Sequence, residues 1–200
     1  ANALPLGATS SGEIVDFELT EQMDLAEFRD RLVAQLPPDM PIYEVADISL
    51  NDPSATKSLE EAEYVLALTV EADAEVTAPH WQAWMDAVLQ AEVLTWEHTT
   101  KSGKKKQVNL RDRLFELTWA NDAEKATLPN SVLGNKTEAQ AIIRYRGSCR
   151  NDGTLLRPEH LTWMLEQVAQ VPLRLLHTHR LRLTLEAELS ALESDTRLSQ

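Results

Sequence analysis

The stretch GEIVDFEL, residues 12–19, places Val15, Phe17 and Leu19 on one side and Asp16 and Glu18 on the other. A period of two predicts a half-buried strand. In DLAEFRDRLVAQLPP the spacing changes: Leu25, Phe28, Leu32 and Leu36 recur at helical intervals. Asp24 is placed to cap that helix, Glu27 follows three residues on, and Pro37-Pro38 stop it. PIYEVADISL, residues 41–50, reads as a further strand with weaker alternation. The first unit is therefore strand–helix–strand.

After the polar stretch NDPSATKSLEEAE, the segment YVLALTVEA is apolar on both faces and predicts a central strand. Thr77 and Pro79 open a helix carrying Trp81, Trp84, Met85, Val88 and Leu89 on one stripe. VLTWEHT is the strand after it. A basic loop, KSGKKKQ, leads into VNLRDRLFELTWA, which reads as a strand, a turn and another strand. EAQAIIRYRGS predicts a strand, and RPEHLTWMLEQVAQ a helix with Pro158 in its first turn. VPLRLLHTHRLRLTLE closes the pattern as a long strand, and SALESDTRLSQ reads as a loose tail.

Repeated strand–helix–strand units with short connections predict an α+β fold of ferredoxin-like type, helices on one face of an antiparallel sheet. A complete ferredoxin-like half is βαββαβ. The second and third units supply one over residues 60–187, with a basic loop insertion at 100–137. Residues 1–52 supply only the latter part of another, so the expected arrangement is a duplicated one with its N-terminal βαβ part missing. Residues 188–200 are the tail.

Composition changes this picture little. The apolar share of 43% and charged share of 26% are those of a soluble globular chain. No apolar run approaches the length of a membrane span and no basic-then-apolar leader is visible, so no membrane partner is expected and the default location is cytoplasmic. The single Cys149 rules out an internal disulfide. Charge is more informative. Residues 1–100 hold 3 basic residues against 20 acids, and residues 101–200 hold 16 against 12, so a net charge of −13 conceals a basic second half.

Four blocks, ALPLGATSSGEIVDFEL, VNLRD, NDGTLLRPEHL and HRLRL, resemble the radical SAM-linked domain family over roughly residues 1–185. This bacterial domain of unknown function is fused C-terminally to B12-binding-type radical SAM proteins or encoded beside them. The Pro-Leu-Gly…Ser-Gly-Glu…Asp block is the most specific of the four. In that family it is preceded by a basic, histidine-containing helix and a Gly-Phe-Asn/His-Pro turn, neither of which is in this sequence. The resemblance implies a radical SAM domain as partner, in cis or in trans. The iron–sulfur cluster and S-adenosylmethionine belong to that partner, because this chain lacks the Cys-x3-Cys-x2-Cys set and carries no cofactor signature of its own. It transfers no catalytic residues.

Several residues are candidates for binding chemistry. Ser10, Ser11 and Gly12 form a polar turn whose backbone N–H groups suit an anion, or simply lead into the strand. Lys104, Lys105 and Lys106, followed by Arg111, suit phosphate contact or plain solvation. Arg144 and Arg146 share one face of their strand, and Arg174, Arg180 and Arg182 share a face of the closing strand. Paired strands would join them into a guanidinium band for RNA, or into a face neutralised by carboxylates. His177 and His179 fall on one side with Leu175, Leu181 and Leu183, and are expected as satisfied, partly buried histidines rather than a metal site. Cys149 has arginine neighbours but no His-plus-acid pattern. The five tryptophans occupy core-like positions. No nucleotide-binding glycine loop, metalloprotease spacing or nucleophile elbow is present. The expectation is an accessory domain that positions substrate for a radical SAM partner and is not catalytic by itself; the alternative is an RNA-binding module.

Overall fold

A computed structural model describes residues 3–71, 76–99, 103–130 and 139–186. The 188–200 tail and parts of the 100–137 insertion lie outside them. The fold is mixed α+β, with a five-stranded mixed sheet and a two-stranded ribbon. The strands are β1 (Thr9–Ser10), β2 (Leu59–Val70), β3 (Thr95–Thr99), β4 (Lys105–Asn109), β5 (Leu114–Trp119), β6 (Ala141–Ser148) and β7 (Leu173–Leu185). Among the described residues the helices are α1 (Leu25–Val33), α2 (Ala55–Ser58), α3 (Ala78–Gln90), α4 (Asp122–Lys125) and α5 (Pro158–Ala169).

The sheet runs β1-β7-β2-β6-β5. Its four long strands pair antiparallel, and β1 joins β7 in parallel. From β2 onward, leaving out the β3–β4 ribbon and the single-turn helix α4, the described elements run β2, α3, β5, β6, α5 and β7, a β–α–β–β–α–β succession. β2 is apolar on both faces because it lies between β7 and β6, with cover on each side. Leu66 and Leu68 enter the main core, while Val65 and Ala67 enter a smaller cluster on the opposite face. Helix α3 buries Trp81, Met85 and Val88, and α5 buries Leu161, Met164 and Leu165. These stripes follow the 3.6-residue period and close the main core over one sheet face.

Both core helices begin alike. Pro79 and Pro158 stand in the first turn, and the imidazoles of His80 and His160 accept from the backbone N–H groups of Thr77 and Arg157, at 3.1 and 3.3 Å. The β3–β4 ribbon packs through Trp96, whose ring meets Trp163 edge-on at 5.0 Å. The five tryptophans do serve the main core, and Trp81 is fully buried.

The N-terminal unit differs from its sequence pattern. Residues 12–19 and 41–50 form no strand. Helix α1 does form, capped by Asp24, whose carboxylate accepts from the N–H groups of Ala26 and Glu27 at 2.9 and 3.3 Å. It buries no residue fully, however, and Phe28 meets Phe17 edge to face, with ring centroids 5.4 Å apart. A strand needs a neighbour to satisfy its backbone. Among the described residues no backbone group of residues 13–20 has a backbone partner. Val15 is 65% exposed and Tyr43 76%, with Phe17, Leu19, Met40, Ile48 and Leu50 also exposed. No helix among the described residues is long and apolar enough to cross a membrane.

Candidate functional site

The edge formed by β1 and β7 gathers hydroxyls and imidazoles from opposite ends of the chain. Parallel pairing sets Thr9 beside His179 and Ser10 beside Arg180. The Thr9 hydroxyl lies 2.9 Å from His177 Nε2 and 2.7 Å from His179 Nδ1, and the Ser11 hydroxyl lies 2.7 Å from His179 Nε2. Ser11, His179, Thr9 and His177 thus form one hydrogen-bonded chain. A neutral imidazole donates at one nitrogen and accepts at the other, so the whole row is satisfied with its protons pointing in either direction. Burial holds both histidines below the ordinary histidine pKa, and for His179 the charge of His177 adds to it. The structure brings this quartet together, and only the i, i+2 spacing of the two histidines hinted at it. Thr9 stood out in the sequence only as the first hydroxyl of the polar turn that continues through Ser10 and Ser11.

The polar turn at Ser10, Ser11 and Gly12 is committed to the same edge. Ser11 N–H donates to Arg180 O at 2.9 Å, the Ser10 hydroxyl to the same carbonyl at 3.1 Å, and Gly12 N–H to Ser10 Oγ at 3.2 Å. Those donors bind the protein's own oxygens, which leaves the turn as a clasp rather than an open anion cradle. A side chain at Gly12 would press on Leu181 O at 3.3 Å.

The closing strand does not keep its arginines on one face. Its register against β2 shifts between Glu63 and Tyr64 and again between Ala67 and Leu68. Each irregularity turns the following side chains over. Arg180 therefore pairs beside Tyr64 on the helix-covered face, whereas Arg182 pairs beside Glu63 on the other. His177 and His179 face the smaller cluster with Leu181, away from Leu175 and Leu183 of the main core. The expectation of a single shared arginine face, and of one histidine–leucine side, is corrected by these bulges.

Arg180 is 2% exposed. It donates through Nη1 to both Glu13 oxygens, at 3.0 and 2.7 Å, and through Nε to the Tyr64 hydroxyl at 3.2 Å. Its guanidinium also lies 5.4 Å from the Tyr64 ring centre, and Tyr64 stacks on Tyr145 at 5.1 Å. Burial opposes the arginine's charge, yet Tyr64 and Glu13 outweigh it and hold its pKa above the ordinary value. Burial raises both tyrosines.

On the face opposite α3 and α5, Arg144 and Arg146 meet carboxylates. Arg144, 19% exposed, bonds to Glu63 at 2.6 Å and Glu116 at 2.9 Å and lies 3.2 Å from Glu124. Arg146 bonds to Glu61 at 2.5 Å and approaches Glu116 at 3.4 Å. For both, burial opposes the charge but the glutamates prevail and raise the pKa. This face is a lattice of neutralised charge. Arg111 is structural too: it donates to Leu89 O at 2.9 Å and Leu114 O at 2.7 Å, tying the turn before β5 to the end of α3. Lys104, Lys105 and Lys106 project from the ribbon into solvent, and Lys105 reaches Glu97 at 2.7 Å. Cys149 is buried. Among the described residues no group of three or more His, Cys, Asp or Glu is placed to hold a metal ion.

Comparison with known proteins adds a family and no activity. No curated protein matches the chain. A chain in the crystal structure of a Cbf5-Nop10-Gar1 complex is similar at TM-score 0.36 and 10% identity, over 64% of this chain and 32% of that one. This chain thus spans about a third of that one, and the likeness carries no argument. A family model described as an uncharacterized protein conserved in bacteria matches residues 1–158, and on that match the chain belongs to the DUF2344 family.

Proposed function

We propose that this chain is an accessory, partner-binding domain of a radical SAM protein, positioning substrate for an enzyme in cis or in trans and not catalytic alone. The observation that supports it best is the exposed apolar run over residues 13–50. Isolated surface hydrophobics need no explanation, but a succession of large ones along one segment marks an interaction site. The resemblance of the Pro-Leu-Gly and neighbouring blocks to the radical SAM-linked domain supplies the partner's identity. The same reading takes residues 60–187 as one ferredoxin-like half and residues 1–52 as part of a first, whose sheet is completed on assembly.

The test is anaerobic co-purification of the chain with the radical SAM protein fused to it or encoded beside it, together with that enzyme's turnover when this domain is deleted. Association and loss of turnover are expected. A partner that neither binds the domain nor loses activity without it ends the proposal.

A second reading, an RNA-binding module, is favoured by the solvent-facing lysines of the ribbon. Replacing Lys104, Lys105 and Lys106 with Ala should then flatten the salt dependence of RNA binding by about 0.7 in log–log slope per lost phosphate contact. An unchanged slope removes that ribbon from consideration.

A further inference from the structure

Residues 13–19 combine three properties that belong to a strand with a neighbour. From Val15 to Leu19 the side chains alternate, with Val15, Phe17 and Leu19 apolar on one side, while Ile14 before them packs on the main core. Those three residues are exposed, and their backbone has no backbone partner among the described residues. The segment begins at a fixed point, because Ser11 is bonded to β7 and Glu13 is gripped by buried Arg180. It is held again where Asp16 accepts the Ala55 N–H at 2.9 Å. A chain segment anchored at both points, apolar on one side and unpaired along its backbone, suits strand addition.

Charge selects the occupant. Residues 13–50 carry ten acids against Arg29 and Arg31 alone. A second copy of this segment would set acid beside acid across the new ladder, which disfavours pairing. We infer that residues 13–19 receive a strand of the partner protein in which apolar residues alternate with lysine or arginine. This rests on the partner-binding function proposed above and names the chemistry of its contact. Main-chain hydrogen bonds supply the seat, the apolar side packs on Val15, Phe17 and Leu19, and the basic side answers Glu18 and the acids around it.

The experiment uses the full chain and a synthetic peptide of about ten residues alternating valine and lysine, the length of an ordinary strand. A peptide of the same composition with the alternation scrambled is the control. Fluorescence anisotropy reads binding, and hydrogen exchange reads the amides of residues 14–19. Binding of the alternating peptide with new protection at those amides is expected. Val15→Lys, at an exposed position that leaves the fold intact, should weaken it by about tenfold or more, the value of one buried valine. Equal binding of both peptides, protection elsewhere or none, or a Val15→Lys variant that binds normally overturns the inference. So does concentration-dependent pairing of the chain with itself through these residues. If the radical SAM protein binds and the alternating peptide does not, strand addition fails while the accessory function stands. If the peptide binds and the enzyme does not, the accessory function fails while the strand site stands.

Discussion

His160 caps α5 as a neutral acceptor, and its surroundings keep it neutral. Burial comes first, and the charges of Arg157 and Arg113 add to it, bringing its pKa down to about 4. A cation there would also face the positive end of the helix. The unfolded chain binds this proton near pH 6.5, so the stabilisation is complete above that value and is lost as pH falls from about 6.5 toward about 4. Acidifying from pH 7 to pH 5 should cost about 1–2 kcal/mol from His160, solvent screening of the partly exposed ring setting the lower end, with His177 and His179 adding in the same direction. Urea midpoints at the two pH values measure it. His160→Gln should remove most of the difference, and an unaltered difference would assign the acid sensitivity elsewhere. Arg180 offers a second test at this scale. Glu13→Gln removes the charge of a carboxylate that binds a buried guanidinium and should cost about 2–3 kcal/mol in denaturant unfolding. A cost below about 0.5 kcal/mol, the level of an ordinary surface change, would mean that the remaining contacts of Arg180 suffice.

Strands and helices were legible in the sequence to very different degrees. Both core helices declared themselves through Pro in the first turn and a wide apolar stripe, and β2, β6 and β7 through apolar runs of strand length. What the sequence withheld was the pair of register shifts in β7. A bulge depends on how two strands meet, so the alternation of Arg180 with Arg182 gave a false common face. The hydroxyl–imidazole quartet was hidden for a related reason, since Thr9 and His177 lie 168 residues apart and meet only through β1. Residues 12–19 fail in the opposite way: the pattern is that of a strand, and the neighbour is what the described residues lack. Packing inside β6 gives this scale its prediction. A methyl group at Gly147 would lie 2.8 Å from Leu156 Cδ2 and 2.9 Å from Arg113 O. Gly147→Ala should therefore destabilise by about 1–3 kcal/mol, read as a lower thermal midpoint. An unchanged midpoint would mean that the turn before β5 yields without cost.

For the molecule as a whole, charge is sorted by location rather than by sum. The acidic stretch over residues 13–50 exposes large apolar residues to solvent, the arginines opposite the core helices are neutralised in place, and the lysines stand on the ribbon. Replacing Lys104, Lys105 and Lys106 with Ala removes exposed side chains, the Lys105 contact to Glu97 among them, and should move the unfolding free energy by less than about 0.5 kcal/mol. A larger loss would show the ribbon to be a structural support and would undercut its use as a binding arm. The sheet order also governs how the molecule is made. β2 takes one neighbour from β6 and the other from β7, the last strand described, so more than a hundred residues must leave the ribosome between β2 and its second partner. Until Leu173 and its successors emerge, one whole edge of the most apolar strand stays open, and such an edge invites pairing with other chains. Synthesis that stalls before β7 yields a product prone to aggregate. Strand β7, thirteen residues long, thus acts as the molecule's own quality checkpoint, and the clasp of Thr9 and Ser11 on it closes only once β7 has been translated.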